Sequence, residues 1–561
     1  MRTARLPRRS FTPATLSARR PGGCPGTAAA RPASLPPDGP VRAPDRWPGT
    51  LLAGPPKGRV RAGRGRERQK DGAGAVTQLT EAVEGSGLRA DAGEDGRGPG
   101  RRFAVDGFAP RHDGRSRERG KALRGRTPRE RHAELALAGD RPTAVEAIEA
   151  SNAGRLTDLV PIRLGRMAAT PFAFLRGSAG LMAADLATTP ATGITAQLCG
   201  DAHAANFGLY GDARGRLVMD INDFDETVPG PWEWDLKRLA ASLVLAGREI
   251  GADETTARRA AFDAAGSYRR TMRTLAKLPV LDAWNAVADD QLVSFAQAHD
   301  LAEVLQKVGA KALGNTGARF AAKSTVRTED GGWRFTSAPP VLSEVPDATA
   351  GAVAASLGPY VRTVPAELHP LLSRYQVQDV AFRVVGTGSV GTRSYVVLLT
   401  DHREQALVLQ VKEARPSVLL PHLARAGFPV AEPAQDAHEG RRVVLGQKRM
   451  QVVSDTLLGW TTVDGLPYQV RQFRNRKGSV DPAALLPGQL DDYARITGAL
   501  LARAHAHTAD PGLITGYCGK NEALDEAVAA FAVAYADRTE ADHAGLLAAI
   551  RAGRLPAEHG V

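Results

Sequence analysis

Cysteine is scarce in this 561-residue chain: Cys24, Cys199 and Cys518 stand far apart, with no C-x-x-C pair among them. That spacing excludes a disulfide framework and a cysteine-rich zinc site, and it points to a reducing compartment. Long apolar runs are missing as well. No stretch of about 18 apolar residues occurs, so no membrane span is expected, and the protein reads as cytoplasmic. Arg8-Arg9-Ser10-Phe11 has the form of a twin-arginine export signal. The residues after it, Thr-Pro-Ala-Thr-Leu-Ser-Ala-Arg-Arg, supply no apolar segment, so export is not expected.

What the chain has in excess is Gly (59) and Pro (37), and the excess collects at the front. Residues 1–125 are rich in Arg, Pro, Gly and Ala, with few aromatic or β-branched side chains. Such a stretch buries too little apolar area to offset chain entropy and reads as a disordered basic tail. Residues 1–70 alone hold 16 Lys and Arg against Asp38, Asp45 and Glu67, a local charge of +13 in a chain whose total is +12. The sequence pI near 9.8 therefore describes the tail. A basic pI otherwise suggests a nucleic-acid or membrane partner; the remainder, at −1, gives no reason to expect a specific nucleic-acid partner or a membrane.

Order is expected from Thr127-Pro128-Arg129-Glu130, where a proline in the first turn favours a helix start. Residues 126–365 read as a helical region, 366–480 as strand-rich and 481–561 as helical again, an α+β organisation. Leu236, Leu239, Ala240, Leu243 and Val244 follow the i, i+3, i+4, i+7, i+8 stripe of a helix packed on a core. Residues 380–385, 394–399 and 406–411 are β-branched or alternating runs separated by turn signals, the pattern of an antiparallel meander. Val443-Val444-Leu445 and Tyr468-Gln469-Val470 are read as further strands.

Two groups of residues carry chemistry. The first is Gly200-Asp201-Ala202-His203-Ala204-Ala205-Asn206, followed after a strand by Asp220-Ile221-Asn222-Asp223-Phe224-Asp225-Glu226. Four carboxylates in seven residues repel one another unless a cation or a set of donors neutralises them; the plain alternative is a solvated acidic turn. Mg²⁺ takes oxygen ligands and shares them between a few carboxylates and substrate phosphates, which makes Asn206, Asp223 and Asp225 candidate ligands, with Asp220 as a further acidic group. An Asp, an Asn five residues on and another Asp in the next strand-turn is the pattern of phosphoryl transfer to a hydroxyl. Asp201 would accept the hydroxyl proton.

The second group is Gly386-Thr387-Gly388-Ser389-Val390-Gly391-Thr392, with Lys412 about two strands later. A strand follows this G-x-G-x-x-G where a dinucleotide fingerprint needs a helix. Strand, glycine loop, strand and then a lysine is the order that lays amides over nucleotide phosphates and an ammonium on the α/β oxygens. Gly386, Gly388, Ser389, Gly391 and Lys412 are therefore candidate ATP contacts.

The loop at Asp201 and the turn at Asp223 resemble the aminoglycoside phosphotransferase and choline kinase branch of the protein-kinase-like fold. In that branch the loop reads H-G-D-x-H-x-x-N. Asp223, Phe224, Gly230, Asp235 and Leu236 reproduce the string that follows it, and Cys199 stands in place of the first His. The resemblance implies a two-lobed fold with a mostly helical large lobe and an antiparallel-sheet small lobe. It also implies ATP and Mg²⁺ as cofactors, Asp201 as base with His203 bracing its loop, and a small-molecule or protein hydroxyl as acceptor. One feature departs from it: the glycine loop and Lys412 come after the catalytic loop. A circular permutation reconciles the two, is tolerated when termini lie close together, and would return residues 480–545 to the helical lobe.

From about residue 130 to 550 the chain also resembles a bacterial family known as domain of unknown function 2252. The segments that carry this likeness are 171–177, 197–203, 222–238, 385–392, 410–414, 447–455 and 470–479. That family name implies no activity. Nucleotidyl transfer and a nucleotide-binding pseudokinase stay open. A metal-dependent phosphoesterase also stays open, although the Gly314-Asn315 pair continues with Thr316 where a dinuclear hydrolase needs a histidine.

Arg163, Arg166 and Arg176 read equally as phosphate contacts and as partners of acids in the fold. Arg471, Arg474, Arg476 and Lys477 form a basic run, either a solvated face or a wall for an anionic substrate. His505 and His507, two apart on a helix, point in different directions and read as surface or capping groups; Trp232 and Trp234 read as core anchors. Glu413 cannot partner Lys412, because adjacent strand residues face opposite sides. Glu432 is the weak candidate for that partner.

Overall fold

The computed structural model describes residues 114–286, 299–384, 386, 388–430 and 437–558. Cys24, the tail to residue 113, Val385, Thr387 and Glu432 lie outside them. The apolar stripe at Leu236 lies on a helix, Trp232–Glu249, whose residues are nearly all buried. Helices Glu254–Leu275, Pro487–Ala506 and Ala523–Arg551 surround it. The last two come from the end of the chain, yet they share one apolar core with Phe172, Leu198, Leu239 and Tyr268. Because that helix is enclosed, the polar side chains of its first turns (Glu233, Asp235, Lys237, Arg238) are buried as well, and each needs an internal partner to offset its desolvation.

The strand-rich region is a six-stranded sheet of β7 (Leu342–Glu344), β8 (Gln376–Arg383), β9 (Ser394–Thr400), β10 (Ala406–Glu413), β11 (Gly459–Val463) and β12 (Leu466–Gln472). Its spatial order is β11-β12-β10-β9-β8-β7, and its neighbouring strands pair antiparallel. Every residue of β9 is buried because both faces are covered. Tyr395, Val397 and Leu399 pack with Val353 and Leu357 of the helix Asp347–Val361. Val396 and Leu398 pack with Phe320, Phe335 and Phe473 on the other face. A strand covered on both sides reads as a continuous apolar run.

Two smaller pairings sit beside the helices: β1 (Thr195–Leu198) with β4 (Val228–Pro231), and β2 (Phe207–Gly211) between β3 (Leu217–Ile221) and β13 (Gly478–Ser479). A short hairpin, β5 (Thr325–Arg327) with β6 (Trp333–Phe335), completes the strands among the described residues. The architecture is mixed α+β. No helix among the described residues is long and apolar enough to cross a membrane.

Four expectations change. Val443-Val444-Leu445 is not a strand but part of the helix Glu439–Met450, which buries Val443, Gln447 and Met450 at helical spacing and is capped by His438. Structure starts before residue 125: Ser116–Leu123 is a helix packed on Pro511–Cys518. A Cβ on Gly120 would lie 2.0 Å from the Leu513 carbonyl, and one on Gly516 2.2 Å from that of Arg117, so Gly120, part of the composition that suggested disorder, is with Gly516 what lets these helices touch. After Pro128 the chain makes a single 3₁₀ turn, Arg129–Ala133. His505 is fully buried: its Nδ1 meets the Tyr268 hydroxyl at 2.9 Å and its Nε2 lies 3.3 Å from Asp235. Trp232 and Trp234 are buried as expected.

Candidate active site

Strand register brings the first group of residues together. The β2–β3 ladder pairs Phe207 with Ile221, so Asn206, just before one strand, meets the turn just after the other; the Asn222 N–H donates to the Asn206 carbonyl at 2.8 Å. The β1–β4 ladder pairs Leu198 with Val228, which sets the loop from Cys199 beside residues 223–227. The Cys199 thiol donates to the Asp223 carbonyl at 3.1 Å. Complete burial pushes that thiol's pKa well up, so it stays a protonated donor joining the two loops. Asp235 anchors the loop to the buried helix: its carboxylate accepts the N–H groups of Cys199 (2.7 Å) and Gly200 (3.0 Å). From the C-terminal helices, the Tyr493 hydroxyl donates to the Ala204 carbonyl at 2.7 Å.

Asp201 is held by Arg238, whose Nε donates to Oδ1 at 2.6 Å and whose Nη2 contacts the same oxygen. Asp235 and Arg238 are i, i+3 on one helix and share a face; one fixes the loop backbone and the other the loop carboxylate. Burial raises the Asp201 carboxyl, and Arg238 with Arg176 only partly opposes this. His203 lies 3.8 Å from Asp201 Oδ2, beyond hydrogen-bond range. Burial, then Arg176 and Arg238, hold its pKa well below the ordinary histidine value. The ring is neutral and makes no ion pair with Asp201.

The second group arrives on the six-stranded sheet. Lys412 on β10 stands opposite Gln469 of β12, and both reach Asp225. The Lys412 ammonium contacts Asp225 Oδ2, which also accepts the Ser389 hydroxyl at 3.2 Å, while Gln469 donates to Oδ1 at 2.8 Å. Burial alone would raise the Asp225 carboxyl; Lys412, helped by Arg471 and Ser389, outweighs it and holds the group below its ordinary value. Glu413, one residue on, faces away and pairs with Arg393 at 3.2 Å. The acidic partner that sequence reasoning could not find is thus Asp225, 187 residues earlier in the chain.

Asp201, His203, Asn206, Asp223, Asp225, Gly386, Gly388 and Ser389 line one cavity of about 620 Å³. Lys412 is 2% exposed and sits behind the wall that Asp225 forms. The glycine loop leans on the segment 155–176. Arg166 donates to the Gly386 carbonyl, Arg155 Nη1 to that of Val390 at 2.7 Å, and the Leu156 N–H to that of Gly391 at 2.8 Å. Gly391 has φ +88°, a left-handed conformation that favours glycine. Gly391 itself lies outside the cavity lining.

The oxygen donors suit a hard cation. Asn206 spends its Nδ2 on the Asp201 carbonyl at 2.7 Å, which leaves its Oδ1 as an acceptor. The Asp223 carboxylate receives one long bond, from the Asp225 N–H at 3.4 Å, and burial with the Asp225 charge raises its pKa. Both oxygens of Asp225 are already engaged, so Asn206 and Asp223 are the donors that remain. Among the described residues no group of three or more His, Cys, Asp or Glu is placed to hold a metal ion. A short ligand set is what Mg²⁺ uses when phosphates complete its shell, and it falls short of a dinuclear hydrolase centre. Asp220 is not in the cavity. It is buried against Arg503, and its Oδ1 also accepts the Ile221 N–H at 2.8 Å.

The profile of a family described as "Uncharacterized protein conserved in bacteria (DUF2252)" matches residues 155–549. The chain belongs to this family. The matched span begins at Arg155 and takes in every cavity residue named above. No curated protein and no solved structure matches the chain. Sequence reasoning on this DUF2252 chain missed Arg155, Arg238 and Gln469 as parts of the site. Arg238 carried a signal: with Asp235 it is a polar i, i+3 pair at the head of an otherwise apolar stripe. Of the basic run, Arg471 donates to Gln410 at 3.0 Å and Arg476 to the Gly215 carbonyl at 2.6 Å. Arg474 lies over the rings of Phe320 and Phe473. Arg471 and Lys477 oppose the rise of the Asp223 carboxyl.

Proposed function

We propose that this DUF2252 protein is an ATP- and Mg²⁺-dependent phosphotransferase with a circularly permuted, protein-kinase-like arrangement of two lobes. The observation that carries the reading is the contact between Lys412 and Asp225. A lysine two strands after a glycine loop meets the acidic turn that follows the Asp201 loop, although the two lie in inverted order along the chain. Chance gives little reason for both halves of a nucleotide site to share one cavity. In this reading the loop from Gly386 covers the phosphates, and Lys412, held until then on Asp225, supplies the ammonium for their oxygens. Asn206 and Asp223 hold the magnesium ion, which when bound neutralises charge on the phosphates.

Asp201 accepts the proton of the acceptor hydroxyl. Arg238 occupies its Oδ1 and leaves Oδ2 for that proton, while the neutral His203 ring beside it does not compete. Asp235 and Tyr493 keep the loop in place, so positioning and electrostatics supply most of the rate. Incubation with γ- and α-labelled ATP tests the proposal. Label transfer or release from the γ position alone, lost in Asp201→Asn, is expected; general-base removal costs roughly 10²-fold or more. Turnover that survives Asp201→Asn removes the mechanism, and label from the α position replaces it with nucleotidyl transfer.

A further inference from the structure

Charge is unevenly matched around the cavity. Three of its acids have charged partners, Asp201 with Arg238, Asp225 with Lys412 and Glu413 with Arg393, while Glu146 accepts the Thr143 N–H at 2.8 Å and Asp223 receives only the long bond from the Asp225 N–H. Glu226 accepts the Val418 N–H at 2.7 Å, and burial pushes its carboxyl up to about 7. Among the described residues, the arginines of the same cavity have no carboxylate at ion-pair distance. Arg163, 1% exposed, donates to the Asn152 side chain (2.6 Å) and the Gly177 carbonyl (2.8 Å). Arg155 donates to the carbonyls of Ser151 (2.9 Å) and Val390 (2.7 Å), and Arg415 to that of Ala153. All of these acceptors are neutral. Arg176 donates no hydrogen bond to any described residue, and its Nε is buried without a partner.

We propose that Arg176, with Arg155, Arg163 and Arg415 behind it, binds a phosphate-type dianion next to Asp201. A buried guanidinium without an anion is costly, and one buried and three half-buried guanidiniums around one cavity favour a ligand with at least two negative charges. Arginine matches phosphate oxygens through paired N–H bonds. Two further effects agree with this crowding: burial and Arg415 press Arg155 down to about 10, and the charge of Arg176 is felt by both Asp201 and His203. The inference rests on the phosphotransferase reading only for the source of the anion, which is either the terminal phosphate of the nucleotide or a phosphate carried by the acceptor.

The test is calorimetry of the full chain with inorganic phosphate, tripolyphosphate and a non-hydrolysable ATP analogue with Mg²⁺, on the wild type, Arg176→Gln and Arg176→Lys. Arg176 has no internal bond to lose, so Arg176→Gln keeps its unliganded melting temperature. The glutamine variant is expected to bind phosphate or tripolyphosphate about tenfold more weakly or worse, the loss of one or two charge-assisted bonds, with partial recovery in the lysine variant. Phosphate that still binds to analogue-saturated protein, and does so through Arg176, assigns the dianion to the acceptor. Phosphate displaced by the analogue, with the analogue itself weakened by Arg176→Gln, assigns it to the nucleotide. Phosphate binding through Arg176 without any nucleotide binding upholds the anion site and removes the phosphotransferase reading. Wild type that binds none of the probes, or Arg176→Gln that binds all of them as wild type does, overturns the inference.

Discussion

Asp225→Asn should destabilise the protein, and adding Lys412→Met should restore much of what it loses. The carboxylate of Asp225 is the counter-charge of an ammonium only 2% exposed. Breaking a fully buried ion pair by removing one partner costs about 3–5 kcal/mol. Here the carboxylate side chain keeps 25% of its exposure, so cavity water takes up part of the loss, and roughly 2–4 kcal/mol is expected for Asp225→Asn. Lys412→Met leaves Asp225 with its bonds from Ser389 and Gln469 and with access to water, so it costs less, about 1–2 kcal/mol. The double variant has neither charge and should lie within about 1 kcal/mol of wild type, so that the single costs, about 3–6 kcal/mol together, exceed its own by roughly 2–6 kcal/mol. Urea denaturation followed by tryptophan fluorescence, with equal slopes for the four proteins, reads this cycle. Single costs that simply add, to within about 0.5 kcal/mol, would mean that ammonium and carboxylate do not meet.

Two further outcomes follow from the buried first turns of the 232–249 helix. Asp235→Ala strips the acceptor from two buried N–H groups and from His505; a loss of about 3 kcal/mol or more in the same denaturation assay is expected, with activity falling alongside because the Asp201 loop loses its anchor. Lys237 is fully buried over the Phe531 ring at 4.2 Å and has no hydrogen-bond partner among the described residues; burial lowers its pKa from 10.5 to about 7. Between those values the unfolded chain keeps a proton that the folded protein has released, so this group makes stability rise with pH across that window and fully penalises the fold below it. Lys237→Met should therefore stabilise the protein by roughly 3–5 kcal/mol at pH 7 and flatten the rise up to about pH 10. An unchanged or lower denaturation midpoint at pH 7 would contradict the assignment.

How much of this was legible depends on how local the signal is. The meander from β8 to β10 announces itself by β-branched or alternating runs between turn signals, unbroken in β9 because both its faces are covered, and the 232–249 helix because its stripe holds over more than two turns. Short runs mislead: Val443-Val444-Leu445 suits a strand or one turn of a buried helix, and only the longer spacing of Val443, Gln447 and Met450 decides. The helix Ser116–Leu123 hides in a glycine-rich composition, since a glycine at a tight helix crossing and a glycine in coil look alike in a sequence. For His505 and His507 the inference that they point apart is correct, but it assumed an exposed face; the helix is enclosed, so His505 enters the Asp235 and Tyr268 network, while His507 stacks on Trp284 at 4.6 Å. In the site itself, the loop at Asp201 and the glycine loop stand out by spacing. Their partners, Arg238 for Asp201 and Asp225 for Lys412, are set by the packing of distant elements.

In the proposed function the Asp201 loop, the Asp223 turn and Lys412 form one site for a nucleotide's phosphates. Calorimetric titration of wild type with ATP, with and without Mg²⁺, tests it most directly, with Lys412→Met and Asp223→Asn titrated alongside. The account predicts binding that needs Mg²⁺, loses its Mg²⁺ dependence in Asp223→Asn, and weakens about tenfold or more in Lys412→Met. Wild-type heat that is the same with and without Mg²⁺, or ATP binding untouched by Lys412→Met, would contradict it.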